Sequence, residues 1–262
     1  MINLITKTKR RKSPIKTLIV GHPKIGKTEM LAKLTNSAIL DLQSGTAYAD
    51  DTNCTFFDVR TILRENNAEL IDGGEKPITK IDVYYEITNH LRKNPVDYLS
   101  VDTSSDLEDL AKVMALYMYK ASPMGKKYKG TDVTTLPNGA GYNWVRIAFE
   151  KLTSELEGCY TKGLIYTVHP KNASITKNGE DISARDINLT GKLKTILCGE
   201  VDAVGFVYRD KGSNTNVISF KTSERDLASG ARPKHLRGQE FPISKLLDDG
   251  TLETYWDKVF ID

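Results

Sequence analysis

The segment Gly21-His22-Pro23-Lys24-Ile25-Gly26-Lys27-Thr28 satisfies the pattern G-x-x-x-x-G-K-[ST] at every fixed position. The chemistry that needs those residue types is phosphate binding. Glycines let backbone N–H groups turn inward around the β- and γ-phosphates, and the start of a following helix adds its positive dipole end. Lys27 would bring a cation to the β/γ oxygens, and the Thr28 hydroxyl would complete a magnesium shell. With Glu29 opening the helix, residues 21–29 form the candidate nucleotide site, and ATP with Mg²⁺ is the expected ligand pair. The plain alternative is a glycine-rich turn with an incidental lysine. The flanks argue against it, because Thr17-Leu18-Ile19-Val20 reads as a short buried strand and residues 29–34 as a helix.

Three further polar residues sit where strands should end. Asp102 closes the apolar run Leu99-Ser100-Val101 and suits a Walker B carboxylate that holds magnesium with Thr28. A helix-capping role there is better assigned to Thr103 or Ser104. Asp41 ends Ala38-Ile39-Leu40, and His169 ends Leu164-Ile165-Tyr166-Thr167-Val168. A histidine in that position can contact a γ-phosphate, or it can be an ordinary satisfied residue on the rim.

The elements that must position these groups alternate. Strands are expected at 17–20, 37–42, 53–59, 97–102 and 163–169, and helices at 29–34, 81–94, 105–120 and 143–158. Residues 121–142 and 170–190 read as long polar loops. After Glu200 the pattern turns β-like at 201–208 and 216–221, with a helix expected near 243–248. Apolar strands alternating with helices imply an α/β fold with a mostly parallel sheet covered on both faces. In such sheets ligands sit at the carboxyl ends of the strands, where the glycine-rich loop, Asp41, Asp102 and His169 all fall. One domain is expected over 15–262, with its core at 15–205 and a β-rich part at 206–262, after a basic tail at 1–14.

Composition bounds the rest. The 262 residues are 39% hydrophobic and 27% charged, which is ordinary globular usage. No apolar run approaches the roughly 20 residues that cross a bilayer, so no membrane partner is expected. The first twelve residues lack the apolar core of a secretory signal. Cys54, Cys159 and Cys198 lie far apart and outside metal-ligand spacing, as reduced thiols of a cytoplasmic protein would. A net charge of +3 leaves any nucleic-acid contact to local patches.

The series Gly21–Thr28, Ile39-Leu40-Asp41, Leu99-Ser100-Val101-Asp102, Thr167-Val168-His169 and Val201-Asp202-Ala203-Val204-Gly205 resembles the RecA-like ATPases of bacteriophages. More narrowly it is similar to the compact Sak-type recombination ATPases, across roughly residues 15 to 235. The resemblance implies a RecA-like P-loop NTPase that acts on single-stranded DNA in recombination or replication, in the host cytoplasm if phage-encoded. It also implies a homo-oligomer, often beside a single-strand-binding protein. Two loops then face DNA. The first carries Lys126, Lys127, Tyr128 and Lys129, with Tyr128 able to stack a base. The second carries Lys171, Lys177, Arg185, Lys192 and Lys194. Lysines there would supply phosphate contacts without sequence readout. The alternative for both is an ordinary solvated loop.

The resemblance further implies a cation reaching the ATP from a neighbouring protomer. Lys221, Arg225 and Arg232 are the candidates. One position departs from the family. RecA-like enzymes carry a catalytic glutamate two residues after the acidic end of the second strand, and Gln43 stands there. Glutamine orients a water but cannot take its proton, so slow hydrolysis is expected unless Asp41, Asp50 or Asp51 substitutes. Two rival functions remain at this stage. One is a small-molecule or nucleotide kinase, which would need an arginine-rich lid. The other is a nucleotide-dependent assembly partner that does not touch DNA.

Overall fold

A computed structural model describes residues 11–48, 53–177, 180–223, 226 and 228–261. Along the chain run β1 (Lys16–Gly21), α1 (Lys27–Ala32), β2 (Ser37–Asp41), β3 (Cys54–Asp58), α2 (Val59–Asp72), α3 (Lys80–Lys93), β4 (Val96–Asp102) and α4 (Ser104–Ala121). There follow α5 (Ala140–Glu155), β5 (Tyr160–Val168), β6 (Pro170–Lys177), β7 (Glu180–Ile187), α6 (Leu193–Glu200) and β8 (Ala203–Arg209). The chain ends with β9 (Thr215–Ser219), β10 (Gly230–Ala231), β11 (Glu240–Leu246) and β12 (Leu252–Thr254). Among the described residues these strands build a ten-stranded sheet in the order β12-β11-β9-β8-β1-β5-β4-β2-β3, with β10 against β8. From β3 to β8 neighbouring strands are parallel. From β8 to β12 they are antiparallel. The β5 strand lies between the glycine-loop strand β1 and the Asp102 strand β4, as in P-loop ATPases with an additional strand.

Alternation along β1 shows why both faces are covered. Leu18 and Val20 enter a core with Tyr84, Leu107, Phe149 and Tyr166, under α3, α4 and α5. Ile19 enters a second core with Met30, Ile165, Phe220 and Trp256 on the opposite face. A strand buried on both sides reads as a continuous apolar run, which is what Thr17 to Val20 shows. Two large polar side chains of these cores are tied to the backbone: the Tyr84 hydroxyl donates to the Leu152 carbonyl, and Trp256 Nε1 donates to the Met30 carbonyl. The second bond ties the last residues to α1.

Two expectations are corrected and one element is added. Residues 170–177 and 180–187 pair as the antiparallel hairpin strands β6 and β7 and are not a loop. The helix expected near 243–248 is the strand β11, held between β9 and β12. The helix α2 is an addition to the expected elements. Its start is fixed by Asp58, whose carboxylate accepts the N–H groups of Arg60 and Thr61. The sheet claims residues 240–246 because β9 pairs with them on one side and Leu252 to Thr254 returns on the other, and a helical pattern of six residues cannot outweigh pairing on both edges. Residues 1–10 of the expected basic tail lie outside the described residues.

Candidate nucleotide site

Strand register brings the polar strand ends to one rim. β1 and β5 pair Val20 with Val168, so Gly21 and His169 leave the sheet side by side. β2 and β4 pair Asp41 with Asp102. Between β1 and α1 the loop turns through left-handed conformations at Lys24 (φ 62°) and Gly26 (φ 91°). Such turns aim successive N–H groups into one concavity, an anion nest. Gly21 is a close approach: a Cβ there would stand 3.1 Å from Ile25 Cγ2. Ile25 itself is buried in the second core, and Asn216 of β9, 3% exposed, donates from Nδ2 to the Ile25 carbonyl at 2.9 Å. The His22 side chain is exposed.

Lys27 is 6% exposed, and its ammonium donates to the carbonyls of Gly21 (2.9 Å) and His22 (3.0 Å). Burial lowers its pKa to about 8, against the opposing pull of Asp102. His169 Nδ1 lies 3.3 Å from the same ammonium. Burial, and then the charge of Lys27, hold the His169 pKa below the usual imidazole value. Thr28 Oγ1 donates to Asp102 Oδ2 at 2.5 Å, and Thr167 Oγ1 donates to Asp102 Oδ1 at 2.5 Å. A hydroxyl and a carboxylate in contact beside a phosphate nest are the hard oxygen donors that Mg²⁺ takes, so these residues fit the cation. Thr167, which aims Asp102, had no signal of its own in the sequence. Lys27, Thr28, Asp102 and His169 line a cleft of about 380 Å³ with Pro23, Lys24, Gly26, Glu29, Gln43, Gly45 and Thr103.

Asp41, behind the cleft lining, is not available as a base. It is fully buried, and its two oxygens accept the N–H groups of Gln43, Ser44 and Thr46 and the Thr46 hydroxyl, all within 2.9 Å. It clamps the loop after β2. Gln43 Nε2 donates to Asp106 Oδ2 at 2.6 Å. Asp50 and Asp51 lie outside the described residues.

The two basic segments differ in what their side chains touch. Lys126, Lys127 and Lys129 are exposed. Tyr128 is half-buried: its ring packs edge-on with Tyr119, centroids 5.3 Å apart, and its hydroxyl donates to the Asp132 carbonyl. On the hairpin, Lys171 donates to the Leu189 carbonyl at 3.1 Å. Arg185 makes a two-pronged pair with Asp226 at 2.7 and 2.9 Å, with its guanidinium over Phe206. Lys194 pairs with Asp186 at 2.8 Å. These three cations are occupied at home. The Lys177 side chain lies outside the description. Between the segments opens a second cavity of about 300 Å³, lined in part by Tyr142, Arg146, Lys112 and Lys192. Tyr142 is 52% exposed, and nothing in its spacing singles it out.

Of the cations expected to act on a neighbour, Lys221 pairs with Glu240 at 3.4 Å, and Arg232 donates to the Gly199 carbonyl at 2.6 Å and faces Asp202. β9 runs antiparallel to β8, so Lys221, like Arg232, lies toward the rim opposite the cleft. Neither can serve the nucleotide of its own chain. Arg225 lies outside the described residues.

No curated protein matches this sequence. Among solved structures the RadB recombinase aligns at 11% identity over 93% of this chain and 92% of its own, with a TM-score of 0.39. The flagellar accessory protein FlaH from Methanocaldococcus jannaschii aligns at 14% identity over 92% and 90%, with a TM-score of 0.38. The family model AAA_24, described as an AAA domain, matches residues 13–230, and the chain belongs to that family of P-loop proteins.

Proposed function

We propose that this protein binds ATP with Mg²⁺ and uses the bound nucleotide to control its grip on single-stranded DNA, in the manner of the Sak-type phage recombination ATPases. Lys27 contacts the β/γ oxygens, Thr28 and Asp102 hold the cation, and His169 senses the γ-phosphate. Bound Mg²⁺ would supply charge neutralisation at the phosphates. The observation that carries this reading is the row formed by Lys27, Thr28, Asp102 and His169 on one rim. The rim is also wired to the basic segments. The His169 carbonyl accepts the Asn188 N–H at 3.0 Å at the foot of the hairpin, and Ser105 of α4 donates to the Asn188 carbonyl at 3.0 Å. A change at the γ-phosphate thus has a short covalent and hydrogen-bonded route to the surface where DNA would lie. In an oligomer, Lys221 is the first candidate for a cation offered to a neighbour's ATP.

The test is fluorescence anisotropy of a labelled single strand with and without ATP and Mg²⁺. Tighter, salt-sensitive binding with nucleotide supports the reading; nucleotide binding with no strand binding would favour an assembly partner. The kinase alternative fits less well, because β5 separates β1 from β4. Transfer of phosphate to a nucleoside acceptor would establish that rival.

A further inference from the structure

The position where RecA-like ATPases carry a base holds Gln43, and the structure supplies it with a partner from another element. Gln43 follows β2 and Asp106 lies in the first turn of α4, 63 residues later. They meet because Asp41 and Asp102 are register partners on adjoining strands. A carboxylate oxygen only accepts hydrogen bonds, so the Gln43 atom 2.6 Å from Asp106 Oδ2 must be the amide nitrogen. The amide orientation is thereby fixed: Nε2 is committed to Asp106, and Oε1 is left for the cleft that Gln43 lines. Asp106 is itself held, since Oδ2 also accepts the Thr103 hydroxyl at 2.5 Å. Asp41 cannot take over, its oxygens being filled by the loop after β2.

We infer that Asp106 is a positioning residue, which holds the Gln43 amide so that its carbonyl oxygen accepts a hydrogen bond from the water that attacks the γ-phosphate. The inference rests on the nucleotide reading above. In the step it serves, the water oxygen bonds to Pγ as the bond from Pγ to the β,γ-bridging oxygen breaks and ADP leaves. One water proton stays on the phosphate formed and the other passes to solvent, so Gln43 gains no proton. The simpler role for Asp106 is to fasten the start of α4 through Thr103, and the two roles separate in a double-mutant cycle.

Asp106→Ala should lower kcat about tenfold or more, the orienting share of the roughly 10²–10⁴-fold that positioned proton-transfer groups give. KM and the Kd for a nonhydrolysable ATP analogue should stay within about twofold, since the pair touches water and not phosphate. In a Gln43→Ala background the same change should cost nothing further. Asp106→Asn preserves size and keeps an oxygen for Thr103, but it lets the Gln43 amide flip, so its kcat should fall between the two even if Asp106→Ala folds poorly. Wild-type kcat in Asp106→Asn and Asp106→Ala would overturn the inference. So would equal losses with and without Gln43, the mark of a helix fastener. A wild type that binds ATP tightly and never turns it over also overturns it, while leaving the nucleotide reading intact. Absence of ATP binding would bring down both.

Discussion

The nucleotide cleft and the basic segments beside it hold their cations in opposite ways. Lys27 is buried and fixed by two loop carbonyls. Lys126, Lys127 and Lys129 stand exposed on an irregular loop. The hairpin strands and the start of α6 are a third case, where Arg185, Lys171 and Lys194 are bonded to the protein itself. A basic residue count therefore says little about which cations can meet an anionic partner. What decides is whether the fold has already given each one an acceptor.

The largest effect should come from the cleft. Lys27→Ala removes charge-assisted bonds worth about 1.5–3 kcal/mol each, so ATP affinity should fall by about 100-fold or more in calorimetry. Wild-type affinity in a folded variant would remove the phosphate nest from the argument. Asp102→Asn should come next, with weaker nucleotide binding only when Mg²⁺ is present. An identical magnesium titration for variant and parent would show that Asp102 serves only to hold Thr28 and Thr167.

What is legible in the sequence follows the same division. The glycine-rich loop is readable because its chemistry is local: Gly26 and Lys27 are adjacent, and the preceding strand and following helix are contiguous with them. Asp102 and His169 are readable as polar ends of apolar strands, and the parallel register then sets them on one rim. Thr167, Asn216 and Asp106 are not, since each acts through a partner at least 63 residues away in the chain. The hairpin does leave a signal, the dipeptide Asn178-Gly179 between two runs of moderate β-propensity, which is a strong short-range hairpin cue. Asp249-Gly250 before β12 is a second such cue, and Gly250 adopts φ 85° there. The polarity of the flanking strands masks both.

The DNA side of the comparison is sharpened by two variants of opposite expectation. Replacing Lys126, Lys127 and Lys129 with Ala should weaken single-strand binding and reduce the slope of log K against log salt by up to about 2, at roughly 0.7 for each phosphate left without its lysine. An unchanged slope would move the interface elsewhere, with the cavity of Tyr142, Arg146 and Lys192 first in line. Arg185→Ala should do the reverse. It leaves Asp226, 8% exposed, without its two-pronged partner, so the melting temperature should drop by a few degrees, at about 2–4 °C per kcal/mol for a chain of this size. Its salt slope should match the wild type. A lowered slope with unchanged stability would show that Arg185 leaves its pair to meet DNA.

The smallest predicted effect tests whether the Lys27 cation is as constrained as its burial suggests. Burial brings its pKa down to about 8, below its value in the unfolded chain. Above that pH the folded, nucleotide-free protein has lost the proton that the unfolded chain and the nucleotide complex both keep. A phosphate beside the ammonium favours the charged form, so binding takes up a proton, and affinity should fall as pH rises through 8, by at most about tenfold per unit. Stability of the nucleotide-free protein moves the other way for this group. The cost of burying the charge is present below pH 8 and fades between there and the ordinary lysine range, because the unfolded state then binds more protons. Calorimetric titration of ATP at pH 7 and 9, with Lys27→Met as the control that lacks the titrating group, measures the effect directly. A flat affinity in the wild type, or an equal decline in Lys27→Met, would show that the ammonium stays charged throughout, held by the Gly21 and His22 carbonyls more firmly than its burial alone implies.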